Sequence, residues 1–144
     1  MVSVQQVIAL INFKGGRNKI TVSAKQILVI DDEDDIRKLT QICLETMGDW
    51  HVFTANSGSE GLAMAEANQP DAILLDMMMP DMDGAATFEK LKANPATKDI
   101  PVIILTARGR AANQNFVKTL DIKGVISKPF NPLKLAEQVA KALS

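Results

Sequence analysis

The 144-residue chain is 47% hydrophobic and 23% charged, enough for one domain with a full core and too little for a second of ordinary size. Its net charge of -1 hides an uneven distribution: residues 1–25 carry Lys14, Arg17, Lys19 and Lys25 and no acid, which leaves 12 basic and 17 acidic residues in the rest and argues against a nucleic-acid binder's basic face. The single cysteine, Cys43, excludes an internal disulfide or multi-cysteine metal site, and the lack of a membrane-length apolar run or signal-peptide pattern predicts a cytoplasmic protein.

Residues 1–25 read as an N-terminal extension, distinct in composition from the rest of the chain. Val7-Ile8-Ala9-Leu10-Ile11 is a short apolar run, and Phe13 to Lys19 reads as a basic turn. With Ile20-Thr21-Val22 these form either a hairpin or an unstructured extension. From Gln26 onward, apolar runs rich in Val, Ile and Leu alternate with helical patterns, as in a parallel sheet covered on both faces. Strands are expected at 26–31, 50–55, 71–75, 101–105 and 124–127, and helices at 33–47, 57–68, 84–94, 108–120 and 132–143. Five such repeats predict one small doubly wound α/β domain over residues 26–144. In the first helix Ile36, Leu39, Cys43 and Met47 form an apolar stripe, which makes Cys43 a core residue. Ser57 and Ser59 are cap candidates for the second helix, and Asn131-Pro132 opens the last. Trp50 and His51 read as strand-entry residues. His51, the only histidine, lies at the wrong end of its strand to act as a phosphodonor.

Four of the apolar runs end on residues suited to phosphate chemistry: Ile27 to Ile30 on Asp31-Asp32, Ala72 to Leu75 on Asp76, Val102 to Leu105 on Thr106, and Val125-Ile126 on Ser127-Lys128. In an open parallel sheet these ends share the edge where ligands bind. Like charges about 4 Å apart at an effective dielectric near 20 repel by roughly 4 kcal/mol, so Asp31, Asp32 and Asp76 together require a cation or shifted pKa values, and a hard divalent ion is the economical answer. Mg²⁺ suits them, because it prefers oxygen ligands and keeps positions for water and phosphate. Asp34 and Asp35 are read as ordinary helix-start acids. Asp76 is the candidate nucleophile toward phosphorus, Thr106 a hydroxyl donor to a phosphoryl oxygen, and Lys128 a counter-ion for either.

The sequence resembles the receiver domains of two-component response regulators. The likeness rests on Val29-Ile30-Asp31-Asp32-Glu33, on Leu75 to Gly84 (LDMMMPDMDG), on Leu105-Thr106-Ala107-Arg108 and on Ser127-Lys128-Pro129-Phe130, and covers about residues 26–144. It implies a flavodoxin-like (βα)5 three-layer sandwich whose five-stranded parallel sheet has the order 2-1-3-4-5. It further implies that Asp76 accepts a phosphoryl group from a histidine kinase or phosphotransfer protein. Asp32, Asp76 and the Met78 backbone carbonyl would hold Mg²⁺, with Asp31 acting on the metal through water. Thr106 and Lys128 would bind the phosphoryl oxygens, and the Lys128-Pro129 peptide would be cis. Such a protein is not an enzyme for other substrates: it catalyses only its own phosphorylation and dephosphorylation, and switches its affinity for a protein target.

The chain departs from the family pattern at Val125, where the family has an aromatic residue that follows the threonine inward on phosphorylation. Switching is then expected to rely on the loop after Thr106 and the following polar helix. Met78 and Arg108, two places beyond Asp76 and Thr106, fall where the family tunes acyl-phosphate lifetime. The Met77-Met78-Met79 run reads as flexible apolar packing. No output domain follows Ser144, so a stand-alone receiver acting through partner binding is expected, with the last two helices and the strand between them as the surface. Two other readings are open. One is a metal-dependent phosphohydrolase with Asp81 or Asp83 as acid, which Met78 disfavours because such enzymes carry an acid there. The other is a receiver-like module working without phosphate, which the presence of Asp32, Asp76, Thr106 and Lys128 disfavours.

Overall fold

The computed structural model describes residues 25–79, 84–107 and 121–144. Their elements are β1 (Gln26–Ile30), α1 (Asp34–Gly48), β2 (His51–Ala55), α2 (Gly58–Asn68), β3 (Ala72–Asp76), α3 (Gly84–Ala93), β4 (Val102–Ala107), β5 (Gly124–Lys128) and α4 (Leu135–Leu143). All strand pairs are parallel, and the sheet runs β2-β1-β3-β4-β5. Residues 1–24, Arg108 and the helix expected over 108–120, and Asp81 and Asp83 lie outside the described residues.

The two faces of the sheet follow from the two-residue period of a strand. Ile27 and Val29 of β1, Leu74 of β3, Leu105 of β4 and Ile126 of β5 point to one side, where Cys43 and Leu44 of α1 and Leu135, Ala136 and Val139 of α4 cover them. Leu28 and Ile30, then Ile73 and Leu75, point to the other, under Ala65 of α2 and Phe88 and Leu91 of α3. The central strands are buried on both faces, so they read as unbroken apolar runs rather than alternating ones. The result is a doubly wound α/β sandwich of the flavodoxin-like kind.

Local differences from the sequence reading have physical causes. In α1 the buried residues are Thr40, Cys43 and Leu44. Leu39 and Met47 of the expected stripe are exposed, because the helix turns the 40–44 edge to the sheet, and the Thr40 hydroxyl is satisfied by donating to the Ile36 carbonyl at 2.7 Å. Ser57, not Ser59, caps α2: its Oγ accepts from the Glu60 N–H at 3.1 Å while the Glu60 carboxylate accepts from the Asn56 N–H at 3.0 Å. The last helix begins at Leu135, three residues after Pro132, because Asn131 first closes a turn by accepting from the Leu133 N–H at 2.9 Å. Trp50, just before β2, is buried beside α1 and α4, and His51 is exposed.

Candidate functional site

Register sets the site. Ile30 pairs with Leu75, Asp76 with Leu105, Thr106 with Ser127 and Ala107 with Lys128. One step beyond Ile30, Asp31 therefore stands beside Asp76, with Thr106 and Lys128 just past them on the neighbouring strands. Asp31, Asp76 and Lys128 also share the parity of Val29, Leu74 and Ile126, so their side chains leave the sheet on the same side. Asp31 is fully buried, Asp76 is 2% exposed and Thr106 5%.

Lys128 binds this group together. Its ammonium donates to Asp31 Oδ2 at 2.9 Å and lies 3.4 Å from Asp76 Oδ2 and 3.6 Å from Glu33 Oε1. Asp31 Oδ1 accepts from the Glu33 N–H at 3.0 Å, and Asp76 Oδ1 accepts from the Met78 N–H at 3.0 Å. Among the described residues, two buried carboxylate oxygens, Asp32 Oδ1 and Asp76 Oδ2, have no hydrogen-bond partner, since Lys128 is not aligned to donate to the second. Asp31, Asp32 and Asp76 each offer an oxygen within 4.8 Å of the others. Orphaned, inward-facing carboxylate oxygens at that spacing fit a hard divalent cation, which would supply the missing partner.

The electrostatics agree with this geometry. Burial, followed by the neighbouring Asp31 carboxylate, pushes Asp76 up to about 6, against the opposing pull of the Met78 N–H and the Lys128 ammonium. Burial disfavours the Lys128 charge, but the Asp31, Asp76 and Glu33 carboxylates outweigh it and hold the ammonium above its ordinary range.

Other expected residues fall around this centre. Met78 is 45% exposed on the loop after β3, whereas Met79 is buried among Leu28, Ile30 and Phe88. Val125 is 42% exposed on β5, so it occupies no inward pocket. The Lys128-Pro129 peptide is cis. Two contributors are not singled out by the sequence reading. Glu33 supplies both a backbone donor to Asp31 and a third carboxylate to Lys128. Gly84 opens α3 so close under the site that an added Cβ would meet the Met77 backbone and sit 2.7 Å from the Asp76 carbonyl oxygen. Its N–H donates to the Met77 carbonyl at 3.2 Å, which ties the loop after Asp76 to the helix. A glycine at a helix start is a signal for such close approach.

Comparison with known proteins gives the same picture. The model of the response regulator receiver domain matches residues 27–140. The chain is 38% identical over 122 residues to the transcriptional regulatory protein SrrA of Staphylococcus aureus, covering 83% of this chain and 48% of that protein. It is 35% identical over 119 residues to the alkaline phosphatase synthesis transcriptional regulatory protein PhoP of Bacillus subtilis, with 83% and 48% covered. The chain thus spans about half the length of these curated relatives. Among solved structures, the N-terminal domain of a response regulator receiver protein from Methanoculleus marisnigri is 39% identical with a TM-score of 0.64, covering 85% of this chain and 98% of that one. The chemotaxis protein CheY4 of Vibrio cholerae is 28% identical with a TM-score of 0.76, covering 83% and 99%.

Proposed function

The chain belongs to the response regulator receiver domain family, and we propose that it is a cytoplasmic, Mg²⁺-dependent phosphoacceptor that takes a phosphoryl group on Asp76. The observation that carries this reading is the buried Asp76 carboxylate, with one oxygen unpartnered and the Lys128 ammonium 3.4 Å away. As a receiver domain its chemistry is confined to its own phosphorylation and dephosphorylation. Its receiver portion is residues 26–144, preceded by the extension of residues 1–25.

The donor is a phosphohistidine on a histidine kinase or phosphotransfer protein. An Asp76 oxygen attacks phosphorus in line with the bond to the imidazole nitrogen. That bond breaks, the imidazole leaves with the electron pair, and an acyl phosphate remains on Asp76. Lys128 moves from the carboxylates toward the incoming phosphoryl oxygens, and the Thr106 hydroxyl donates to another. Asp31, Asp32, Asp76 and the Met78 carbonyl are the groups that would hold Mg²⁺, which when bound neutralises charge on the transferring group. Burial supports the nucleophile, since it removes water that would compete for the phosphorus and would screen the ammonium.

Readout passes to a protein target. With Val125 in place of an aromatic, the change is carried by the Thr106 loop and a partner surface that includes β5 and α4, while Met78 and Arg108 set the lifetime of the acyl phosphate. The test is intact mass after incubation with Mg²⁺ and acetyl phosphate. A gain of one phosphoryl group that disappears in Asp76→Asn and on chelation is expected, and labelling retained in Asp76→Asn would remove Asp76 from the role. Thr106→Ala should still be labelled but bind its target with less dependence on phosphate.

A further inference from the structure

We propose that Arg37 is a positioning residue for the cation site, acting through the backbone of Asp31. The inference rests on the Mg²⁺-binding reading above and goes beyond it, because Arg37 touches none of the three carboxylates that would hold the ion. Its guanidinium spans two acceptors: Nη1 donates to the Asp31 carbonyl at 3.0 Å and Nη2 to Asp34 Oδ1 at 2.6 Å. The Arg37 side chain is 15% exposed, while Asp34 is 74% exposed. A cation in the first turn of a helix opposes the helix dipole, so helix stability does not explain this placement.

The loop explains it. Asp31 is held at its N–H by the Ala55 carbonyl at 3.1 Å, and at its carboxylate by the Glu33 N–H and Lys128. Only the carbonyl is left, and this is the group Arg37 takes. The same carbonyl belongs to the peptide that leads into Asp32, whose buried Oδ1 has no partner among the described residues to orient it. The direction of Asp32 is therefore set by its backbone, and Arg37 locks the peptide on its N-terminal side. Rotation of that peptide would swing the Asp32 carboxylate away from Asp31 and Asp76. Arg37 thus does for Asp32 what outer hydrogen-bond partners do for metal ligands generally.

The test is calorimetric titration of the full chain with MgCl₂, without any phosphodonor. Arg37→Met keeps the buried stem and removes the donors; the Kd for Mg²⁺ should rise roughly ten-fold or more, the usual scale for losing a ligand-orienting partner. Asp34→Asn breaks only the exposed ion pair and should leave the Kd within about two-fold of the natural chain. Arg37→Lys, a milder change should Arg37→Met fail to fold, keeps the charge but not the fork that serves both acceptors, and should also bind more weakly. Unchanged Mg²⁺ affinity in a folded Arg37 variant would overturn the proposal, as would an equal loss in Asp34→Asn. Failure of the natural chain itself to bind Mg²⁺ would overturn the functional reading along with it, and is a different result from either.

Discussion

The two ends of the same strands handle their polar groups in opposite ways. At the N-terminal ends the strands are tied to one another and to the preceding loops: the Gln26 N–H donates to Asp71 Oδ2 at 2.7 Å and the Asp71 N–H to the Gln26 carbonyl at 2.8 Å. The His51 N–H donates to the Lys25 carbonyl at 2.8 Å, and the Ile73 N–H to the Pro101 carbonyl at 2.9 Å. Lys25, His51 and Asp71 are exposed, so water reaches this end of the sheet. At the C-terminal ends Asp31, Asp76 and Thr106 are buried, and two carboxylate oxygens lack partners among the described residues. One sheet therefore has an end closed by hydrogen bonds between its strands and an end whose buried carboxylates keep unpartnered oxygens, at a cost in stability.

The largest expected break in that contrast comes from Lys128→Met. Removing the ammonium that Asp31, Asp76 and Glu33 share leaves the buried carboxylates of Asp31 and Asp76 without a counter-ion among the described residues, and should cost about 3–5 kcal/mol in urea unfolding at pH 8 without Mg²⁺. A cost below about 1 kcal/mol would mean that the acids are far better solvated than their burial implies.

Next is Asp76→Asn, which should stabilise the protein. In the folded state Asp76 is raised from 3.8 to about 6, so the folded protein holds that proton more tightly than the unfolded chain. Its contribution is most favourable below about pH 4, declines between 4 and 6, and leaves a full penalty of about 3 kcal/mol above 6. The Asn variant should therefore exceed the natural chain in unfolding free energy at pH 8 and converge on it near pH 4. A gap that is constant with pH would assign the effect to packing. Smaller again is the effect of Mg²⁺: at ten times its Kd it should stabilise the natural chain by about 1.4 kcal/mol, and Asp32→Ala should lose most of that gain.

The contrast between the two ends also explains what can be read from sequence. Buried parallel strands give continuous apolar runs, so β1, β3 and β4 are legible, and a polar residue closing each run marks the end that holds Asp31, Asp76, Thr106 and Lys128. What those residues touch is less legible. Glu33 looks like one more acid in a run of five, and Arg37 like any charged residue in a first helical turn. Their roles depend on where Lys128 and the Asp31 carbonyl sit, and Lys128 is 97 residues from Asp31 in the chain. The stripe of α1 fails in part for a similar reason: which of several adjacent apolar positions faces inward is set by how the helix rolls against Trp50 and α4, not by spacing alone.

The smallest effect is expected at the other end, from Asp71→Ala. Asp71 makes a short, charge-assisted hydrogen bond to the Gln26 N–H, and on distance alone it rivals the Lys128–Asp31 contact. Yet Asp71 is exposed, and when its carboxylate is removed water can reach the N–H that it leaves. The loss should stay near 1 kcal/mol, should not vary with Mg²⁺, and should add to that of Lys128→Met, since the two sites share no partner. Comparable costs for the two variants would show that hydrogen-bond length governs both ends. A several-fold smaller cost for Asp71→Ala would show that burial does, because only at the C-terminal end does the surviving partner have nowhere else to turn.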